Sequence, residues 1–162
     1  MKTLAILPVK SFGAAKQRLA ESLGAGARQA LAQAMFSDVL SALRRTEELD
    51  EIAVITADRG AESAARGHGV IVLADTVRAG QSQAAQIGIR HALAHGFERV
   101  ALVPGDTPLL RPADLAGLLS RSGPGVSLVP DRHGTGTNAL VLSPPDAIEP
   151  SFGPDSRARH VA

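Results

Sequence analysis

Six short apolar runs leave this chain little choice of fold. They are TLAILPV (3–9), EIAVIT (51–56), VIVLA (70–74), RVALVP (99–104), GVSLVP (125–130) and NALVLS (138–143), each bounded by turn residues. Runs this short and this uniformly apolar read as strands covered on both faces rather than as half-wet strands, which would alternate. Helical stretches separate them: 26–46, with Leu31, Met35, Val39 and Leu43 at helical spacing, then 59–66, 81–95, and 112–120 behind Pro112. Strand and helix in alternation predict an α/β sandwich with a largely parallel sheet. No internal repeat, low-complexity tract or linker interrupts the pattern, so residues 1–162 are expected to form a single domain. The proline-rich SPPDAIEPSFGP (143–154) is expected to be an ordered surface excursion, anchored by Ile148 and Phe152.

Composition narrows the function by exclusion. Seventeen Lys and Arg against sixteen Asp and Glu leave a formal charge of +1, which gives no global attraction for nucleic acid or an anionic membrane. Four Phe with no Trp or Tyr supply few platforms for stacking bases. The absence of cysteine removes disulfides, thiolate catalysis and thiolate metal sites together, and suits a reducing compartment; the cytoplasm is the expected location. The opening MKTLAILPVK is ended by Pro8 and Lys10 well short of a membrane span. All three lysines, Lys2, Lys10 and Lys16, fall within the first sixteen residues. Two of them share one early loop.

In parallel sheets ligands gather beyond the carboxyl ends of the strands, so the strand exits carry the chemistry. Four are unusual. After strand one, PVKSFGAAKQRL (8–19) sets Lys10, Lys16 and Arg18 around small residues, a composition that can neutralise a polyphosphate or simply form a solvated basic loop. It lacks the GxxxxGK[ST] pattern of a phosphate-binding Walker loop. After strand four, PGDTPLL (104–110) frames Asp106 between prolines, as a hard-oxygen ligand for Mg²⁺ or as a turn former ahead of the next helix. After strand five, DRHGTGTN (131–138) offers glycine amides, threonine hydroxyls and Arg132, either as an anion-binding nest or as a turn joining two strands. After strand six, FGPDSRARH (152–160) repeats this chemistry with Gly153, Ser156, Arg157 and Arg159, again compatible with a capped helix start. Two anion-binding loops suggest two anionic ligands.

Together these loops resemble the guanylyltransferases of coenzyme F420 biosynthesis, the CofC/FbiD family of phosphoenolpyruvate or 2-phospho-L-lactate guanylyltransferases. DRHGTGTNAL and PPDAIEPSFGPDSRARH carry the resemblance most specifically; PVK....AK.RL and PGDTPLL support it. It implies a GT-A-like, Rossmann-related nucleotidyltransferase sandwich with a mostly parallel mixed sheet. GTP, Mg²⁺ and a small phosphorylated acid are the implied ligands. By motif, Lys10, Lys16 and Arg18 look like the triphosphate-binding set, with Lys10 and Lys16 catalytic. Asp106 looks like the catalytic metal ligand, and Thr137, Gly153 and Ser156 look like the acceptor site. The stretch AGQSQAAQIGI (79–89) corresponds to a family segment near the nucleotide that often reads Gly-Leu-Asn; here it is Gly80-Gln81-Ser82, which assigns nucleotide contacts to Gly80 and Ser82. Family members continue to a closing strand and an Asp-rich motif beyond the point at which Ala162 ends this sequence, so the single domain is expected without that segment.

The implied reaction is attack by the acceptor's phosphate on the α-phosphorus of GTP, with phosphoenolpyruvate the expected acceptor and pyrophosphate the leaving group. Two alternatives stay open: another nucleotidyltransferase acting on a molybdopterin or a sugar phosphate, or a nucleotide-binding module without turnover. Nothing in the sequence fixes the oligomeric state, and a homodimer remains open.

Overall fold

The first strand, β1 (Thr3–Val9), has almost no wet surface: Thr3 to Pro8 are all buried. A strand in that position must be central, flanked by strands on both edges and covered on both faces. The computed structural model describes residues 2–9, 24–76, 80–103, 112–121, 123–130, 137–148 and 150. Around β1 it places β2 (Glu51–Thr56), β3 (Ile71–Ala74), β4 (Arg99–Leu102), β5 (Gly125–Pro130) and β6 (Thr137–Ser143), in the order β3-β2-β1-β4-β6-β5. The pairs β3–β2, β2–β1 and β1–β4 are parallel, while β6 runs antiparallel to both β4 and β5. The six strands lie where the apolar runs predict them, and the mixed, mostly parallel sheet is the expected one.

Alternation along each strand divides the core in two. Ala5 and Leu7, with Val54, Ala101 and Val141, face α1 (Ala25–Arg44), α2 (Arg59–Gly67) and α4 (Pro112–Arg121). Leu4 and Ile6, with Ile55, Leu102 and Leu140, face α3 (Gln81–Ala94). On the first side α1 buries Ala32, Phe36, Val39, Leu40 and Leu43, whereas Leu31 is 36 % exposed. The stripe expected through Leu31 and Met35 is therefore rotated about one position around the helix. Fully buried Phe36 accounts for the rotation, because the largest side chain takes the centre and Ala32, one turn earlier, lets the helix approach.

The direction of β6 corrects one expectation. Its carboxyl end does not join the other exits: Ser143 sits at the far edge of the sheet, with its hydroxyl 3.4 Å from the Glu98 carbonyl. It is the entry of β6, at Thr137, that meets the carboxyl ends of β1 and β4. The excursion after β6 is ordered as expected as far as it is described, with Ala147 and Ile148 packed on the α3 side and Pro145 and Pro150 buried. Phe152 lies outside the described residues.

At that far edge Arg99 is buried, 8 % exposed, and donates from Nε to Thr3 Oγ1 at 3.0 Å and from Nη1 to the Leu119 carbonyl at 2.7 Å. The guanidinium thus ties the start of β4 to β1 and to the last turn of α4, where a cation also complements the helix dipole. Nearby, the rings of His91 and His95 stack with centroids 4.0 Å apart at the carboxyl end of α3.

The approach of α3 to β1 leaves no room for a side chain at Gly88. A Cβ added at Gly88 would stand 2.5 Å from Ile6 Cγ2 and 2.9 Å from its Cδ1, and Ile6 is fully buried with nowhere to move. Gly88→Ala should therefore lower stability despite the better helix propensity of alanine, by a net amount of about 1–2 kcal/mol. Urea unfolding checks this, with Ile6→Val in the same chain recovering part of the loss; a Gly88→Ala protein as stable as the parent would show that the helix can back away.

A second expectation concerns acid. Burial and the adjacent His95 hold the His91 imidazole below its ordinary value of 6.5, against a smaller upward pull from Glu51. A base with a depressed folded-state pKa takes up its proton more readily when unfolded, so this contribution is whole above 6.5 and is lost as pH falls through that value toward the folded pKa. Thermal midpoints at about pH 7.5 and about pH 5.5 should drop less in His91→Gln than in the parent; equal drops would remove His91 from the acid response.

Candidate active site

Parallel pairing brings the exits of four strands to one edge. Val9, Thr56 and Ala74 lie level across β1, β2 and β3, and Leu102 of β4 is level with Ile6 of β1 and Leu140 of β6. The Val103 amide donates to the Ile6 carbonyl at 2.9 Å, carrying the β1–β4 pairing one residue past the strand. Lys10 follows Val9 directly, and Asp106 stands three residues after Val103. The hairpin partners Pro130 and Thr137 close the β5–β6 pairing at this same edge, so the stretch 131–136 begins and ends there. The stretch does join two antiparallel strands, as one reading of its glycines expects.

The chain also switches direction here. From β1 it passes through α1 to β2 on one side, and from β3 it returns through α3 to β4 on the other. The crevice between β1 and β4 is the switch point at which ligands of such sheets bind.

Helix N-termini supply the local electrostatics. The first amides of a helix have no partner within it and carry partial positive charge. Asp58 covers this need for α2: its Oδ2 accepts from the Ala61 amide at 2.9 Å, and its own amide is held by Thr56 Oγ1 at 3.0 Å. Two of the others, α1 and α3, are different. α1 opens behind Gly24 and α3 behind Gly80, neither with a side-chain cap bond and neither with an acidic residue in its first turn. Gly80 has φ 106° and ψ −178°, a conformation essentially closed to residues with a Cβ. Its carbonyl accepts from Ala84 at 3.1 Å, so this unusual backbone is what starts the helix. Ser82 lies in the first turn, partly buried.

Of the residues assigned from sequence, Gly80 and Ser82 are thus brought to the carboxyl edge at the head of α3, and Thr137 to the same edge at the start of β6. Lys10, Lys16, Arg18, Asp106, Gly153 and Ser156 lie outside the described residues, as do Arg132, Arg157 and Arg159. Among the described residues no group of three or more His, Cys, Asp or Glu could hold a metal ion. One further edge residue escaped the sequence reading: Asp75, directly after β3, whose amide donates to the Thr56 carbonyl at 3.0 Å. Its signal was available, since VLADT repeats the pattern of VPGDT, an acid placed just beyond a buried run.

A family model described as "Guanylyl transferase CofC like" matches residues 3–162. The chain belongs to that family. A phosphoenolpyruvate guanylyltransferase of Conexibacter woesei is 54 % identical over 165 residues, spanning 100 % of this chain and 74 % of the relative. One of Sphaerobacter thermophilus is 36 % identical over 164 residues, spanning 100 % and 78 %. Two solved structures share the fold: a putative nucleotide-diphospho-sugar transferase from Desulfovibrio desulfuricans (TM-score 0.74, 17 % identity, 91 % of this chain and 66 % of that one) and a nucleotidyl transferase from Methanothermobacter (TM-score 0.72, 20 % identity, 99 % and 81 %). Membership of the guanylyltransferase family makes the chain a nucleotidyltransferase, and its sheet is the nucleotidyltransferase sheet. None of the described helices is long and apolar enough to cross a membrane.

If the glycine-only backbone at residue 80 shapes the nucleotide cradle of this guanylyltransferase family member, Gly80→Ala should be costly for a purely conformational reason. No atom lies within 4 Å of the added Cβ, so no clash contributes. The strain should lower stability by about 1–3 kcal/mol, and GTP should bind more weakly. Thermal melts with and without GTP report both, and an unchanged GTP-induced shift would separate the backbone at Gly80 from the nucleotide.

Proposed function

We propose that this chain transfers GMP from GTP to phosphoenolpyruvate, releasing pyrophosphate, as a step of coenzyme F420 biosynthesis. The observation that carries the reading is the guanylyltransferase family match over residues 3–162, on a sheet whose switch point lies between the ends of β1 and β4.

The chemistry asks for positioning more than for proton transfer. A phosphate oxygen of the acceptor attacks the α-phosphorus of GTP, a new P–O bond forms, and the bond to the β-phosphate oxygen breaks to release pyrophosphate. The attacking phosphate is already ionised at neutral pH, so no general base is needed.

The residues assigned from the family motifs then take these roles. Lys10, Lys16 and Arg18, following β1, hold the triphosphate and stabilise the charge that grows on the leaving pyrophosphate. The uncapped amides at the head of α3, with Gly80 and Ser82, face the nucleotide. Thr137, with Gly153 and Ser156, holds the phosphate or carboxylate of the acceptor in line. A carboxylate suits a hard divalent cation such as Mg²⁺, and Asp106 would be the residue that holds it here. When bound, that cation withdraws charge from the α-phosphate and the leaving group. The strand that precedes Asp106 in sequence is pinned to β1 at its end by the 2.9 Å Val103–Ile6 bond. The reading places the enzyme in the cytoplasm, where GTP and phosphoenolpyruvate are found together.

Pyrophosphate release from GTP and Mg²⁺, assayed separately with phosphoenolpyruvate, 2-phospho-L-lactate and 3-phosphoglycerate, tests the proposal. Release is expected with phosphoenolpyruvate; release with none of the three would overturn the assignment. Asp106→Asn should reduce turnover by at least about 100-fold with an unchanged thermal midpoint, and near-normal turnover would refute the metal role of Asp106.

A further inference from the structure

We infer that Asp75 reads the guanine base. The inference rests on the GTP-dependent reading above and adds the feature that would make the site choose a guanine nucleotide.

The direction in which the nucleotide extends follows from the topology. Its phosphates lie at the β1–β4 switch point. Beyond β4 the next strand is antiparallel β6, which brings the stretch 131–136 and Thr137 to that side, the side given to the acceptor. The base must therefore run the other way, across the ends of β2 and β3. Val9, Thr56 and Ala74 are level there, and neighbouring strands are spaced by ~4.8 Å, so the end of β3 lies about 10 Å across the edge from the end of β1. A ribose and a base bridge that span.

Guanine presents two adjacent donors on its Watson–Crick edge, N1–H and the 2-amino group, and a carboxylate with two acceptor oxygens matches them as a pair. Adenine offers a bare N1 and a C2–H at the same positions and gains nothing from a carboxylate. Two described carboxylates stand just past the ends of β2 and β3. Asp58 serves α2, capping it through Oδ2 on the face of the sheet opposite α3. Asp75 opens the connection from β3 to Gly80 and α3, the helix whose uncapped head faces the nucleotide. Its side chain is half-buried, and the bond from its amide to the Thr56 carbonyl fixes its backbone level with the end of β2. A carboxylate on fixed backbone at the base end of the cleft can discriminate among bases, because each unmatched donor left by a wrong base or a wrong side chain is penalised.

The test exchanges donors and acceptors on both sides of the contact. Dissociation constants of GTP, ITP, XTP and ATP, each with Mg²⁺, are measured for the 162-residue chain and for Asp75→Asn and Asp75→Ala. ITP lacks the 2-amino group, and XTP carries a carbonyl in its place. The parent should bind GTP about tenfold or more tighter than ITP, and ATP and XTP more weakly still. Asp75→Asn, whose amide offers one acceptor and one donor, should lose at least about tenfold for GTP and bind XTP tighter than the parent does. Asp75→Ala should lose the preference of GTP over ITP without gaining XTP, which keeps the test decisive if the Asn protein melts early. Variants that bind GTP and keep the parent's order of preference would overturn the role of Asp75 alone. A parent that binds no nucleotide would overturn this inference together with the GTP-dependent reading. A parent that binds GTP selectively, with the selectivity lost on substitution at Asp75, supports the inference even if no acid yields pyrophosphate; only the transfer reaction would then fail.

Discussion

The double-sided burial of β1 is the constraint from which the rest of the molecule follows. A strand whose Leu4, Ala5, Ile6 and Leu7 are each 0 % exposed cannot stand at an edge or present a face to water. It needs a strand on either side and helices above and below. Connecting parallel neighbours through helices is the way a chain meets that demand, and it returns every strand end to the same rim. The common rim of the parallel strands is thus a by-product of how the core is covered.

The two faces are covered unequally. Among the described residues three helices share one side, whereas α3 alone lies over β1 and β2 on the other, with Ala147 and Ile148 extending the cover beyond it. A single helix must lie close to do this. Gly88 permits that approach at its middle, and Gly80 sets its starting point by a backbone conformation that other residues resist. One helix therefore couples packing to the layout of the rim: the contact that seals Ile6 also sets the head of α3 at the edge where the parallel strands end.

The strands were legible in the sequence because buried parallel strands are nearly continuous apolar runs, and EIAVIT and TLAILPV match β2 and β1 residue for residue. The direction of β6 was not legible. NALVLS has the same apolar composition whichever way it runs, and only pairing with β4 distinguishes the two. The face of α1 was misplaced by one position because Leu31 and Phe36 compete for the same core, and volume decides in favour of Phe36. At the site, the glycine before α3 stood out in the sequence, but its φ of 106° did not, since a glycine is compatible with almost any backbone. Asp75 was overlooked although VLADT echoes VPGDT, because that echo gains meaning only when the register sets Asp75 just past Ala74, which is level with Thr56 and two strands from Val9.

β4 is only four residues long, and both of its ends are fastened. Arg99 moors one end to Thr3 and to the final turn of α4, and the amide of Val103 moors the other to Ile6. Arginine suits the first mooring because its rigid fork reaches two oxygens in different elements at once, which a single ammonium on a flexible stem does less well. Fastened at both ends, β4 behaves as a gauge block of fixed length. It cannot slip by a residue without tearing one mooring loose, so the chain that continues toward Asp106 always departs from the same height above the sheet.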